Sequence, residues 1–505
     1  MFRANIENAL RLAVRRSPLA NPLRRALHKH PLQEALDRGR EQGWDQAAAW
    51  LLAPEQSGYR TGKWMTRTIA SRLNMNIDSE LLLTAIRRVL LLQKNEPLER
   101  PDMLQLIEGL MRQCMINEYV WFAGEDERAE VTRRTTSLAD AEPGQVDWQD
   151  LALICLYHRP QDLLSQRVAR KALNTVIESM PANLAQFIRA VLADHAAELA
   201  LKSGIERLGT ITNETSKLIA DNYEHYPYPR WTTLERPNPP SRQQHLRRFF
   251  AEGELDFLDE PFDVLVAGCG TGNKAIEYAK AYGNSTQVLG VDLSLASLSY
   301  ASRKARELGL SNIRFAQGDL LELPPLEKKF RIIECTGVLH HMRDPLEGLR
   351  ALVKTLQPPG VVHISLYSEL ARASIVRLRE EYDLRPDMTD DEIRAYRRRI
   401  MLEQPETVDE RLSLRWDFFD LPRCKDLLFH PLEHRYTVPK IGRLLADAGL
   451  EFRAIESPGI IRNQYWTTLP EAREQADLNA WDRFEKRHPD AFGNLYEIWA
   501  FRPQV

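Results

Sequence analysis

A glycine-rich turn directly after a short apolar run is the feature that most limits what this chain can fold into. Residues 264–267 are Val-Leu-Val-Ala, and Gly268, Gly270 and Gly272 follow with GxGxG spacing. In open α/β sheets, ligands bind beyond the carboxyl ends of the strands, where glycines let a cofactor approach the backbone. A dinucleotide-binding turn has the spacing G-x-G-x-x-G, but Asn273 stands where its last glycine belongs. The match to a pyrophosphate-binding turn therefore fails.

Acidic residues at the ends of two later apolar runs strengthen the prediction of a cofactor site. Asp292 follows the run at residues 287–291 and lies 20 residues after Gly272, so its carboxylate can accept both hydroxyls of a ribose. Asp319 follows the run at residues 313–316 and is placed to accept from an adenine amino group. Alone, each aspartate is more often a helix N-cap. In register with the glycine turn, they predict a site for an adenosine without phosphates.

Short apolar runs alternate with helical stretches after Asp263, which is typical of βαβ units on a parallel sheet. The runs lie at residues 264–267, 287–291, 313–316, 331–335, 361–366, 451–455 and 494–501, and the last two suit an edge hairpin. An interruption of roughly 70 residues separates the fifth run from the sixth and is too long for an ordinary connection. We predict an α/β fold, with a doubly wound, Rossmann-like, seven-stranded sheet in residues 251–505 and a helical insertion at residues 368–436.

The first 205 residues have the apolar periodicity of α-helices. Leu184, Phe187, Ile188, Val191 and Leu192, for example, recur at the i, i+3, i+4, i+7 and i+8 positions of a helix. A break at residues 135–147, rich in turn-forming residues, separates two helical blocks or forms a long surface loop. No fixed repeat indicates a solenoid. We predict an α-helical region over residues 1–205, whose sequence indicates no particular chemistry.

An aromatic segment interrupts this helical pattern at residues 222–231, Asn-Tyr-Glu-His-Tyr-Pro-Tyr-Pro-Arg-Trp. Pro227 and Pro229 fix φ and push the preceding residues toward extended conformations, so we expect Tyr226 and Tyr228 on a stiff arm. The alternative is a linker that packs its aromatic rings onto a neighbouring domain. We assign residues 206–250 to this arm and a proline-rich linker.

Composition excludes several classes of protein. The 68 Lys and Arg against 71 Asp and Glu give a net charge of -3, which excludes a strongly basic coat for nucleic acid. No apolar run approaches the roughly 18 residues that cross a bilayer. Five scattered cysteines predict neither a disulfide framework nor a CxxC zinc site, and they favour a reducing, cytoplasmic compartment. The basic residues among the first 30 predict a basic helix face, with organelle targeting or membrane docking as the alternative.

The motifs together resemble those of the class I S-adenosylmethionine-dependent methyltransferases. The resemblance is carried by Gly268-Cys-Gly-Thr-Gly272, Val291-Asp-Leu-Ser294, Gly318-Asp-Leu320 and Gly337-Val-Leu-His-His341. It implies S-adenosylmethionine as cofactor and a reversed last hairpin in the sheet. The cofactor-binding residues that it implies are Gly268, Cys269, Gly270, Gly272, Asp292, Asp319 and Leu320. In many members an acidic residue at this point of the first strand helps to bind the methionine amino group. The present sequence has Val266 there and departs from that pattern.

The Tyr-Pro-Tyr-Pro-Arg-Trp arm and the segment from Asp426 to Thr437 are similar to one bacterial branch of these enzymes. Its members couple a helical, often tetratricopeptide-type, N-terminal half to a methyltransferase, and rickettsial protein-lysine methyltransferases look related. The resemblance implies a protein substrate, with lysine as the methylated residue. A small-molecule, lipid or quinone methyltransferase and a non-catalytic cofactor-binding scaffold stay open as alternatives.

Candidate catalytic residues follow the fourth apolar run and lie on the arm. His340 or His341 could accept a proton from the nucleophile or orient it, or both could simply cap the loop. We expect Tyr226 and Tyr228 to help to steer the acceptor. Arg230 is the candidate for the methionine carboxylate, because its guanidinium binds carboxylates in a bidentate manner.

Metal and nucleic-acid sites are not predicted. His430 and His434 have i, i+4 spacing, but Pro431 disfavours a helix there and no third ligand is evident. Arg394 and Arg397–Arg399 predict a solvated helix face rather than a nucleic-acid patch, because acidic residues offset their charge. We expect no stable membrane insertion, and association through the helical N-terminal region stays open.

Overall fold

The computed structural model describes residues 31–56, 69–93, 98–140, 147–165, 170–225, 227–231, 239–323, 329–403, 416–469 and 476–504. Tyr226, one of the predicted arm residues, lies outside them. The contacts group the chain into two compact units. The first comprises Met1–Ala196 and Leu378–Phe429, and the second comprises Ala197–Arg377 and His430–Val505.

The helices lie mainly in the first half of the chain and between the strands of the second half. In chain order they are α1 Pro31–Gln42, α2 Trp44–Leu52, α3 Ile77–Leu92, α4 Pro101–Ile116, α5 Glu125–Asp140, α6 Trp148–Ile154, α7 Asp162–Ser165, α8 Arg170–Ser179, α9 Ala182–Lys202, α10 Glu214–His225, α11 Pro239–Arg247, α12 Asn273–Tyr282, α13 Leu295–Glu307, α14 Pro345–Thr355, α15 Ala373–Glu381, α16 Asp390–Glu403, α17 Leu421–Cys424, α18 Val438–Asp447, α19 Gly459–Thr468 and α20 Leu478–Arg487.

The first unit is helical, as the apolar periodicity predicts. Its second chain segment is anchored by a buried ion pair, in which the Arg397 guanidinium donates to both carboxylate oxygens of Glu80 at 2.7 and 2.9 Å. The Arg397 guanidinium also lies 4.5 Å from the centre of the Phe418 ring. Both charged side chains are only 1% exposed. The prediction of a solvated face is therefore wrong for Arg397, because this arginine finds a buried carboxylate that is distant in sequence.

The strands of the second unit form one mixed sheet. They are β1 Glu206–Leu208, β2 Phe262–Ala267, β3 Thr286–Asp292, β4 Ile313–Gly318, β5 Phe330–Cys335, β6 Leu356–Ser368, β7 Arg435–Tyr436, β8 Glu451–Glu456 and β9 Leu495–Arg502. The order across the sheet is β1-β4-β3-β2-β5-β6-β9-β8, and β7 pairs with the end of β6. β9 runs antiparallel to β6 and β8, whereas the other described pairings are parallel.

Helices cover both faces of the sheet because alternate residues of the central strands are apolar on both sides. In β2, Leu265 and Ala267 belong to one buried cluster, which includes residues of α14, α18 and α20. Val264 and Val266 belong to a second cluster, which includes residues of α11, α12 and α13. Because β2 to β6 pair in parallel, their carboxyl ends lie at one shared edge of the sheet.

The predicted α/β fold is confirmed, and each of the seven predicted apolar runs coincides with a strand. The predicted edge hairpin corresponds to the antiparallel strands β8 and β9. The two additional strands, β1 and β7, are three and two residues long. Strands this short have fewer than the roughly four residues over which alternation becomes a signal, so the periodicity of the sequence does not reveal them.

Candidate functional site

The glycine turn, residues 268–272, adopts a backbone conformation that requires glycine. Gly268, Gly270 and Gly272 have φ angles of +66°, +51° and +80°. A Cβ on Gly270 would lie 2.3 Å from the carbonyl oxygen of Tyr228, and one on Gly268 would lie 2.2 Å from a methyl group of Val338. The turn is thus packed against the arm on one side and against the loop after β5 on the other.

The arm, residues 223–231, is hydrogen-bonded to this turn. The backbone N–H of Thr271 donates to the Tyr228 carbonyl at 3.1 Å, and the Thr271 hydroxyl donates to the Pro229 carbonyl. The Trp231 indole donates to the Thr271 carbonyl at 3.1 Å. The arm therefore lies at the turn that the sequence motifs assign to the cofactor.

Two residues of α10 continue this attachment. The Ser294 hydroxyl donates to the Tyr223 carbonyl at 3.0 Å, and the Ala296 N–H donates to the Glu224 carboxylate at 3.0 Å. Ser294 is also the N-cap of α13, which begins three residues after Asp292. The base of the arm is therefore joined to the loop that follows β3.

Asp292 extends from the end of β3 to the glycine turn. Its carboxylate accepts from the Gly270 N–H at 2.7 Å and from the Ser294 N–H at 2.9 Å. Burial raises the pKa of Asp292 above its ordinary value, and the hydrogen bonds from these backbone N–H groups oppose that rise. The carboxylate thus links two of the predicted cofactor-binding elements.

Asp319 lies at the end of β4 with one oxygen unsatisfied. Its Oδ1 accepts from the Leu321 N–H at 3.0 Å, whereas its buried Oδ2 has no hydrogen-bond partner among the described residues. An unpartnered buried oxygen is costly unless a ligand completes it. Leu320 beside it is buried and apolar. An adenine ring, with an amino group as donor and apolar faces, fits both features.

The other predicted cofactor residues are also near the turn. Cys269 is buried, and burial raises the pKa of its thiol well above the usual value, so it is an inert apolar group. Arg230 lies with its guanidinium 5.5 Å from the centre of the Tyr300 ring. Its binding of a carboxylate stays a prediction.

Val266, where the sequence lacks the acidic residue of many members, lies beside a buried carboxylate of the next strand. It pairs in register with Glu334 of β5, whose carboxylate accepts from the Tyr278 hydroxyl and contacts His363.

His340 and His341 lie in the turn after β5 and belong to a stack of rings. The group consists of His340, His341, Tyr367 and His430, and we call it the acceptor-side stack after the role that is proposed for it below. The ring centres of His340 and Tyr367 are 4.0 Å apart, those of His340 and His341 are 4.3 Å apart, and those of His341 and His430 are 3.6 Å apart. Val338, which contacts Gly268, is two residues before His340, so the stack begins close to the glycine turn.

The surroundings of His340 and His341 favour neutral imidazoles, and backbone carbonyl groups determine which ring nitrogen carries the proton. Nδ1 of His340 lies 3.2 Å from the Ser365 carbonyl oxygen, and Nδ1 of His341 lies 2.8 Å from that of Leu432. A carbonyl only accepts, so each Nδ1 carries the proton and each Nε2 keeps a lone pair. Burial lowers the pKa of His340 to about 3 and lowers the pKa of His341 well below its usual value.

Sequence reasoning missed several residues at this edge of the sheet. Thr271 and Ser294 lie within quoted motifs, so their positions could have been inferred. Tyr300, whose hydroxyl donates to the Trp231 carbonyl, is on a helix with no motif. Tyr367 and Arg372 follow an ordinary apolar run and have no local signal.

Residues 258–409 match the family model described as a methyltransferase domain. The chain is 29% identical over 264 residues to an uncharacterized protein of Synechococcus, covering 50% of this chain and 62% of that one. It is 28% identical over 114 residues to a demethylmenaquinone methyltransferase of Oceanobacillus iheyensis, covering 23% and 47%. Among solved structures, PKMT2 from Rickettsia typhi in complex with AdoHcy has 18% identity, 55% coverage of both chains and a TM-score of 0.40.

The matched residues thus form a methyltransferase domain. The methyltransferase class predicted from the motifs is confirmed for this domain. The chain spans less than two thirds of the length of these curated relatives. Within the described residues, no helix is both long enough and apolar enough to cross a membrane.

Proposed function

We propose that the whole chain is an S-adenosylmethionine-dependent methyltransferase that methylates a lysine side chain of a protein substrate. One observation carries the proposal, namely that the unsatisfied oxygen of Asp319 and the neutral imidazoles of His340 and His341 follow parallel strands at the same edge of the sheet. A site for adenosine and a set of uncharged hydrogen-bond acceptors are therefore located on the two sides of the glycine turn.

The residues of this chain would hold the cofactor as follows. Asp292 would accept the ribose hydroxyls, Asp319 Oδ2 would accept the adenine amino group, and Leu320 would pack against the ring. The missing side chain of Gly270 lets the arm lie on the glycine turn, and Arg230 of the arm would bind the methionine carboxylate. When bound, S-adenosylmethionine supplies an electrophilic methyl group on a positively charged sulfur.

The acceptor side favours a neutral amine. A lysine ammonium has an ordinary pKa near 10.4 and no lone pair, and desolvation favours its neutral form. Nε2 of His341 or His340 accepts an N–H of the amine and thereby directs the nitrogen lone pair toward the methyl group. Tyr228, with Tyr226 as the second candidate, steers the acceptor from the arm. The aromatic faces tolerate the cationic product.

The proposal extends to the partner and the compartment. We assign the reaction to the cytoplasm, with a protein as substrate and no nucleic acid as partner. We assign any self-association of the protein to its helical unit. The second candidate acceptor is a quinone or a lipid. It is favoured by the similarity to demethylmenaquinone methyltransferases over 23% of this chain. A non-catalytic scaffold that only binds the cofactor is the third.

The test adds purified enzyme to an extract in which its substrate is not yet methylated. Purified protein and labelled S-adenosylmethionine are added to extract from cells lacking the enzyme, with Asp292→Ala as the inactive control. We expect label in proteins and, by mass spectrometry, methylated lysine. Label only in a quinone or fatty acid would overturn the lysine assignment. Cofactor binding without transfer to any fraction would favour the scaffold.

A further inference from the structure

We propose that Arg372 and Glu433 form a positioning pair that holds Tyr367 against His340 and thereby orders the acceptor-side stack for methyl transfer. Arg372 belongs to no recognised motif, Glu433 lies in the segment from Asp426 to Thr437 without an assigned role, and the two are 61 residues apart in the sequence. The inference rests on the proposed function, since it assigns the stack to the acceptor side of that site.

The two side chains form an ion pair with two directional hydrogen bonds. The Arg372 Nε donates to one carboxylate oxygen of Glu433 at 3.1 Å, and a second guanidinium nitrogen donates to the other oxygen. The Arg372 side chain has no exposed surface, and that of Glu433 is 6% exposed. A bidentate pair in so dry a place allows the guanidinium plane only one orientation.

That orientation determines where the Tyr367 ring lies. The Arg372 guanidinium carbon is 4.1 Å from the centre of the Tyr367 ring, and the centre of the His340 imidazole is 4.0 Å from the same ring centre. Tyr367 is 8% exposed and His340 is 1% exposed, so neither ring has solvent to move into. Tyr367 therefore contacts both Arg372 and His340, and Glu433 fixes the guanidinium of this group.

Backbone hydrogen bonds join three chain segments close to this ion pair. The His434 N–H donates to the His340 carbonyl at 2.8 Å, and the Glu369 N–H donates to the Tyr436 carbonyl at 2.8 Å. β7 pairs with the last two residues of β6. The turn at residues 339–341, the end of β6 and the segment at residues 430–436 are thus held together where Arg372 meets Glu433.

A purely structural role predicts a different outcome from a positioning role. Removing one partner leaves an unpaired buried charge and destabilises the fold, whereas replacing both with apolar residues of similar volume is often tolerated. The informative variant is therefore the double substitution Arg372→Met with Glu433→Leu. Its matched control is Arg453→Met with Glu254→Leu, because Arg453 also makes a bidentate pair and lies 4.7 Å from the centre of an aromatic ring, Phe501.

We expect the Arg372 and Glu433 double variant to lose about tenfold or more in kcat, because misplacing reacting groups by an ångström has effects of that order or larger. Its KM for S-adenosylmethionine and its affinity for S-adenosylhomocysteine should stay within about twofold of wild type, as should all parameters of the control. An unchanged kcat would overturn the proposal. A parallel loss of kcat and cofactor affinity would also overturn it, since that pattern indicates general collapse of the site.

Failure of the proposed function would be visible separately. If wild-type protein methylates a quinone and no lysine, the lysine assignment fails, and the kcat comparison is made with the quinone. If wild-type protein has no turnover, nitrogen-15 spectra of labelled histidines test the positioning pair in place of kcat. The positioning pair predicts neutral imidazoles protonated at Nδ1 for His340 and His341 in wild type, and shifted or broadened signals in the double variant. Identical spectra would overturn the proposal.

Discussion

The proposed cofactor side and the proposed acceptor side of the site are built in different ways, although both lie at the carboxyl edge of one sheet. On the cofactor side, the contacts run through backbone groups of nearby segments. The Gly270 N–H donates to the Asp292 carboxylate, and the Thr271 N–H donates to the Tyr228 carbonyl. On the acceptor side, rings from His341 and His430 stack although 89 positions separate them. A nucleoside offers fixed polar groups to a backbone, whereas an acceptor pocket depends on side-chain packing.

The difference predicts that substitutions on the cofactor side change cofactor affinity, whereas those on the acceptor side change turnover.

Gly270→Ala should have the largest effect. Its Cβ would lie 2.3 Å from the Tyr228 carbonyl oxygen, so the arm must move away from the turn. We expect affinity for S-adenosylhomocysteine to fall by about 3 kcal/mol, roughly a hundredfold, in calorimetry. Gly449→Ala is the matched control, because it has a positive φ of +74° with no atom near its Cβ. Equal affinities in the two variants would contradict the close packing of arm and turn.

Asp292→Asn should rank second. The substitution keeps the shape of the side chain but removes its charge and places an amide N–H₂ against a backbone donor, Gly270 or Ser294. Loss of charge-assisted hydrogen bonds is expected to weaken cofactor binding by about 2 kcal/mol, roughly thirtyfold. Asp477→Asn provides the control, since Asp477 caps α20 through the Ala480 N–H and lies in no cofactor motif. Wild-type affinity in Asp292→Asn would remove this residue from the site.

Asp319→Asn should have a smaller effect on affinity and a larger one on base preference. The Asn oxygen stays with the Leu321 N–H, so the amide N–H₂ replaces the unsatisfied Oδ2. We expect S-adenosylhomocysteine to bind about 1 kcal/mol more weakly. The inosine analogue, which carries a carbonyl in place of the amino group, should bind better to the variant than to wild type. The same base preference in both proteins would show that Asp319 does not contact the base.

The smallest effect concerns pH and the buried imidazole of His340, whose pKa burial lowers to about 3. Below the ordinary value near 6.5 the unfolded chain binds more protons than the folded chain. The stability from this neutral imidazole is thus present above about pH 6.5 and is lost as pH falls toward 3. Between about pH 7.5 and 5, the Tm of wild type should fall a few degrees more than that of His340→Phe, which keeps a ring but cannot titrate. Parallel Tm curves would contradict a neutral His340.

Much of the fold could be predicted because its central strands are continuous apolar runs and its glycine turn is a local motif. Asp292 and Asp319 were also predictable, since they follow such runs. Arg397 was mistaken for a solvated residue because its buried partner, Glu80, lies 317 positions away. Tyr367 and Arg372 could not be recognised as members of the site for the same reason. A side chain's burial depends on which distant segment covers it, and local periodicity does not report that.

The sequence by itself determined the class of fold, the turn that needs glycine and the acids at two strand ends, because these depend on local backbone geometry and on apolar patterning. Only the tertiary structure decided that the Tyr228 carbonyl occupies the space of a Gly270 side chain and that Asp319 keeps one oxygen unsatisfied. It also decided that Glu433 pairs with Arg372. These contacts join segments that are far apart in the chain, so their geometry arises only when the sheet and its connections pack together.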